Sequence, residues 1–165
     1  MATTTLDRPA GGSPAGIARI AALAIPSALL GGALLSQYVG GLHPCEMCYW
    51  QRWPHAAAIV LSALAFLFRA RSRNATLLTI LAALAIAVSG AIGVFHAGVD
   101  YGWWEGLTTC TASGGLSLDE LMNVPLVRCD EVQWSLAGIS MAGFNAIFSL
   151  GGAALVLLLL KRGRG

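Results

Sequence analysis

The sequence predicts an all-α membrane protein, a bundle of four transmembrane helices with a short amphipathic helix in its second external loop. Three observations carry this expectation. Of 165 residues, 56% are hydrophobic and 11% charged, and the mean hydropathy is +0.70, a balance outside the range of ordinary soluble domains. Four apolar stretches each approach the ~20 residues that cross a bilayer as a helix. The basic residues gather on one side of the resulting four-span arrangement. A net charge of +2, with no continuous basic patch, excludes nucleic acid as a partner and leaves the lipid bilayer as the medium.

Residues 1–16 are rich in Thr, Gly and Pro, carry only Asp7 and Arg8 as charges, and read as a flexible cytoplasmic tail. The membrane domain then occupies 17–165. Span one, 17–38, is longer than the ~7–15 apolar residues of a signal peptide and is followed by further spans, so it reads as an uncleaved helix. Span two, 49–68, opens with Gln51, Arg52 and Pro54, which puts its first turns at the interface. Spans three and four cover 75–99 and 139–160. Gly31, Gly32, Gly90, Gly93, Gly151 and Gly152 lie inside spans, where small residues let helices approach closely.

Eight of the ten basic residues (Arg8, Arg19, Arg69, Arg71, Arg73, Lys161, Arg162 and Arg164) fall on one side, which the positive-inside rule makes cytoplasmic, both termini included. Seven of the eight acids and all four cysteines fall on the other. The cysteines therefore face an oxidising compartment. The external segment 100–138 is long enough to carry function or structure of its own. Within it, Ser117 and Glu120 form a capping box stapled by Leu116 and Leu121, the start of the amphipathic helix that Pro125 ends. Trp50, Trp53, Trp103, Trp104 and Trp134 all lie beside external span ends, as an aromatic belt requires.

Cys45-Glu46-Met47-Cys48 opens span two with two cysteines at i, i+3. At a helix N-terminus that spacing permits a disulfide or a stabilised thiolate. Arg52, four residues beyond Cys48, shares their face and could stabilise a thiolate or a reduced quinone oxygen; its bland role is that of an interfacial anchor. Cys110 and Cys129 lie in the loop in polar, exposed surroundings that suit thiol exchange. Zinc would more often bring two tight C-x-x-C pairs or histidines at ligand spacing, so no resident metal is expected. Two structural disulfides remain an alternative. Redox work is favoured because one pair opens a membrane helix and the other lies in an aqueous loop. His96, near the outer end of span three, is divided between a structural hydrogen bond and a place at a quinone carbonyl. His43 and His55 carry less weight, and Asp100, Asp130 and Glu131 read as solvated loop charges.

Cys45-x-x-Cys48 with Arg52, Phe95-His96-Ala97-Gly98 and Arg128-Cys129-Asp130-Glu131-Val132 together resemble the bacterial DsbB family over nearly the whole chain, with Gln133 standing where many relatives have proline. The resemblance implies an inner-membrane, quinone-dependent protein-disulfide oxidoreductase. Its implied partner is a periplasmic DsbA-like thioredoxin-fold oxidase and its implied cofactor a membrane quinone, ubiquinone or menaquinone. It makes Cys45, Cys48, Cys110 and Cys129 catalytic, with Cys110–Cys129 and Cys45–Cys48 as the disulfides, and gives Arg52 and His96 to the quinone. The chain is less similar to the vitamin K epoxide reductase family, whose C-x-x-C is expected near the last helix rather than at position 45. A topology reporter fused after Arg73 should behave as cytoplasmic and one fused after Gly115 as periplasmic; any other pattern breaks the four-span reading.

Overall fold

A computed structural model of the chain describes residues 12–69, 71–106 and 129–163. They form four helices, α1 (Pro14–Tyr38), α2 (Glu46–Ala65), α3 (Arg73–Asp100) and α4 (Met141–Arg162), and two very short strands, β1 (Ser135–Leu136) and β2 (Ile139–Ser140). Cys110, the expected amphipathic helix and most of the expected tail lie outside the described residues.

Each helix begins where a side chain accepts an otherwise unpaired backbone N–H. Ser13, Ser72 and Ser140 accept from the amides of Gly16, Ala75 and Gly143, and Cys45 does the same for Cys48. With Pro14 set in the first turn, where its missing N–H costs nothing, α1 starts inside the stretch expected to be tail. α1, α3 and α4 are long and apolar enough to cross a membrane. α2 is a 20-residue helix whose early turns carry Gln51, Arg52 and His55.

The helices form a ring, α1 packing on α2 and α4, and α3 on the same two neighbours. Their shared core is dominated by alanine: Ala18, Ala22, Ala58, Ala82, Ala83 and Ala153 pack with Ile86, Val156 and Leu160. Such small side chains allow close backbones. Two backbones approach closely at Gly93, where a Cβ would lie 3.0 Å from the Ala146 nitrogen and 3.1 Å from the Ala142 oxygen. Gly90 and Gly152 also face neighbouring helices, whereas Gly31, Gly32 and Gly151 face open space. Large apolar side chains such as Leu35, Leu84, Val88, Leu155 and Leu158 point outward, the surface that lipid would cover.

One end of the bundle is basic. Arg19 is buried and donates to the carbonyls of Ala65 (2.6 Å) and Phe68 (3.3 Å) while stacking on Phe66, so it satisfies the C-terminal turn of α2 from α1. Lys161 and Arg162 occupy the last turn of α4, where the helix dipole favours cations.

The other end is aromatic. Ala137 and Gly138 both have positive φ, 51° and 79°, the pairing a two-residue hairpin turn demands, and they join β1 to β2. The Tyr101 hydroxyl donates to the Gly138 carbonyl (3.1 Å) and accepts from the Ser140 amide (2.9 Å), fastening this hairpin to the end of α3. Trp104 stacks on Phe95 and donates its indole N–H to the Phe95 carbonyl at 2.9 Å. Its ring covers Gly98 so closely that a Cβ there would fall 2.0 Å from Trp104 Cζ2. Gly98→Ala must therefore displace the indole, and overpacking of this kind costs about 1–3 kcal/mol; thermal unfolding in detergent should show the loss, with an unchanged midpoint contradicting the packing.

Candidate functional site

The site lies at the aromatic end, where α2 begins and α3 finishes. Cys45 caps α2 and places its Sγ 3.1 Å from Cys48 Sγ and 3.3 Å from the Cys48 amide nitrogen. Both thiols are free. The hydrogen bond to Cys48, followed by burial, pushes the Cys45 thiol well above the ordinary thiol range.

His96 reaches the pair from α3, with Nε2 3.5 Å from Cys45 Sγ and 3.6 Å from Asp100 Oδ1. Its other nitrogen, Nδ1, lies 2.8 Å from the Gln51 amide. Gln51 in turn accepts from Asn145 of α4 at 2.7 Å. Asn145 continues the chain to His55 (2.9 Å), Ser89 (3.2 Å) and Ser149 (2.9 Å), and Ser89 donates to the Gln51 carbonyl at 2.8 Å. One continuous polar network thus joins α2, α3 and α4 beneath the cysteines.

Arg52 turns toward α1, donating to Gln37 Oε1 and to the Ala33 carbonyl (3.1 Å), and lies over the Tyr49 ring. Cys45, Cys48, Gln51, Arg52, His96 and Asn145 all border one cavity of about 380 Å³. Its remaining walls include Ala28, Leu29, Phe144 and Phe148. An apolar chamber with a few convergent polar groups at one end is the usual form of a small-molecule site.

Cys129 is disulfide-bonded. It is also 4% exposed and packs in one buried cluster with Cys45, Met47 and Val99, against which Cys48 and Phe95 lie. The exposed surroundings expected for it are therefore corrected: the hairpin fastened by Tyr101 returns this segment over the α2 and α3 ends. Asp100, expected to be a solvated loop charge, is instead the last residue of α3, its side chain 7% exposed beside His96. His55, given little weight as a loop-side residue, is buried in the bundle.

The structure brings together five of the six residues singled out from the sequence: Cys45, Cys48, Arg52, His96 and Cys129. Cys110 is outside the described residues. Sequence reasoning missed Gln51, His55, Ser89, Asn145 and Ser149. Their signal was present, since Cys48, Gln51 and His55 follow i, i+3, i+7 spacing on one helical face, and Ser89, Asn145 and Ser149 interrupt apolar spans.

The DsbB family model, described as disulfide bond formation protein DsbB, matches residues 16–159. Among curated relatives, disulfide bond formation protein B of Verminephrobacter eiseniae is 34% identical, the match covering 84% of this chain and 82% of that protein. The protein of the same name from Marinobacter nauticus is 32% identical, with 73% of this chain and 76% of that one covered. An uncharacterized Rickettsia prowazekii protein is 22% identical over 73% of each. No solved structure matches the chain significantly. With the family model spanning all four helices and relatives above 30% identity along most of its length, the chain belongs to the DsbB family of membrane disulfide-bond formation proteins.

Proposed function

We propose that this protein is a quinone-dependent thiol oxidase of the bacterial inner membrane that re-oxidises a periplasmic DsbA-like carrier, with α2 as its fourth span and the cysteine end periplasmic. The observation that carries this reading is the position of Cys129: disulfide-bonded and buried against the C-x-x-C pair, which itself borders the cavity with Arg52.

In the proposed relay the carrier thiolate attacks Cys110 Sγ of a Cys110–Cys129 disulfide, and Cys129 leaves as a thiolate. Cys129 then attacks Cys45 Sγ; the Cys45–Cys48 bond breaks and its electron pair departs on Cys48. The second carrier thiol displaces Cys110, releasing oxidised carrier, and Cys110 recloses on Cys129 to free Cys45. Two electrons now rest on the Cys45–Cys48 pair, with the proton held at Cys45 beside His96 and the charge at Cys48. The Arg52 guanidinium, anchored on Gln37 and Ala33, favours that charge. Arg52, His96 and Gln51 are the donors available to the oxygens of a quinone head group, and Phe144, Phe148 and Leu29 fit its ring and tail. A bound ubiquinone or menaquinone supplies the sink for two electrons and two protons.

Cys129→Ser should trap a mixed disulfide between Cys110 and the carrier, visible on non-reducing gels; trapping by Cys110→Ser instead would reverse the roles of these two cysteines. Arg52→Lys keeps the charge but loses the planar fork. It should raise the KM for quinone about tenfold, equivalent to about 1.4 kcal/mol, with a modest loss of kcat. Arg52→Met should lose more, while both variants still exchange disulfides at Cys110. Stopped-flow oxidation of reduced carrier at varied quinone concentration separates these steps, and unchanged quinone dependence in Arg52→Met would return Arg52 to the role of an anchor.

A further inference from the structure

The ligand atoms of Cys45, Cys48 and His96 all lie within 4.8 Å of one another, and the histidine comes from a different helix, 51 positions along the chain from Cys45. Zinc binds thiolate at ~2.3 Å and imidazole at ~2.0 Å, so a tetrahedral centre separates two sulfurs by about 3.8 Å and a sulfur from a nitrogen by about 3.5 Å. The observed separations are 3.1 Å and 3.5 Å. A small rotation of the Cys48 side chain toward the cavity completes the first, and the second already fits.

We propose that the reduced Cys45–Cys48 pair, with His96, forms an inhibitory site for a thiophilic divalent cation such as Zn²⁺. The cation replaces the thiol proton, no electron moves, and both sulfurs are held from forming a disulfide. Oxidation of the pair removes two of the ligands, so the site exists in one redox state only. Binding depends on the reduced thiols alone; the arrest of electron flow rests on the proposed function.

The test uses full-length protein in detergent with Cys110→Ala and Cys129→Ala, so that only the C-x-x-C pair is present. Reduced protein should bind one Co²⁺ per chain with a near-ultraviolet sulfur-to-metal charge-transfer band. Zn²⁺ should displace the Co²⁺ and protect both thiols from alkylation, and the oxidised protein should bind neither ion. His96→Ala should weaken binding at least tenfold. Zinc-edge X-ray absorption of protein with its histidines unaltered should find two sulfurs and an imidazole nitrogen, which keeps the test decisive if the variant does not fold. No charge-transfer band, equal binding after oxidation, or a shell without nitrogen would overturn the site. Zn²⁺ should also stop turnover of the unaltered protein, reversibly by chelator. Turnover insensitive to Zn²⁺ would overturn the inhibitory role, whereas cation binding by a protein that never oxidises a carrier would leave the site standing and the proposed function lost.

Discussion

Polar side chains between apolar helices do best by satisfying one another, because lipid and apolar neighbours offer no hydrogen bonds and each unmet one costs about 1–3 kcal/mol. Gln51 is where that constraint concentrates. Its amide bonds the Met47 carbonyl on its own helix, His96 on α3 and Asn145 on α4, so three helices are held in register by one side chain. The network sets the ring of His96, and through it the neighbour of Cys45. Apolar packing alone, supplied here by alanine, would hold the helices close without specifying rotation about their axes. The polar contacts specify it, in the sense that a partly satisfied alternative is heavily penalised.

That register gives the C-x-x-C pair two kinds of neighbour. Cys45, as the cap of α2, is buried in the cluster with Cys129, against which Cys48 also packs, and both cysteines border the cavity with Arg52. A pair at the start of a helix thus touches a protein sulfur and an apolar cavity at once. Both the proposed relay and the cation site depend on these contacts. The relay needs the thiols to alternate between bonded and charged states, and the cation captures the state in which they are reduced.

Three of the four expected spans, those of α1, α3 and α4, were legible because a bilayer imposes both length and apolarity on a helix, and that signal survives in any one sequence. Their ends were less so. α1, α2 and α3 begin two or three residues before the apolar stretches do, since Ser13, Cys45 and Ser72 start each helix by hydrogen bonding rather than by hydropathy. α4 begins two residues late because Ile139 and Ser140 belong to the hairpin, whose turn places the non-glycine Ala137 at positive φ, a conformation composition does not announce. Within the site, the cysteines and Arg52 were readable from local spacing along α2. The His96 contact with Cys45, the burial of Cys129 and the recruitment of Asn145 were not, since each arises from a pairing of distant helices. His55 and Asp100 were misjudged for the same reason: nearness to a loop in sequence says little about which face of a bundle a residue occupies.

The central claim is that electrons taken from a carrier dithiol leave through Cys45 and Cys48 to a quinone. Anaerobic turnover of the purified protein with reduced carrier and added quinone, assayed for both products, tests it most directly. The account predicts one quinol for each carrier disulfide formed, and neither product beyond a first turnover in Cys48→Ser. Sustained carrier oxidation without quinol, or quinol formation undiminished in that variant, would contradict it.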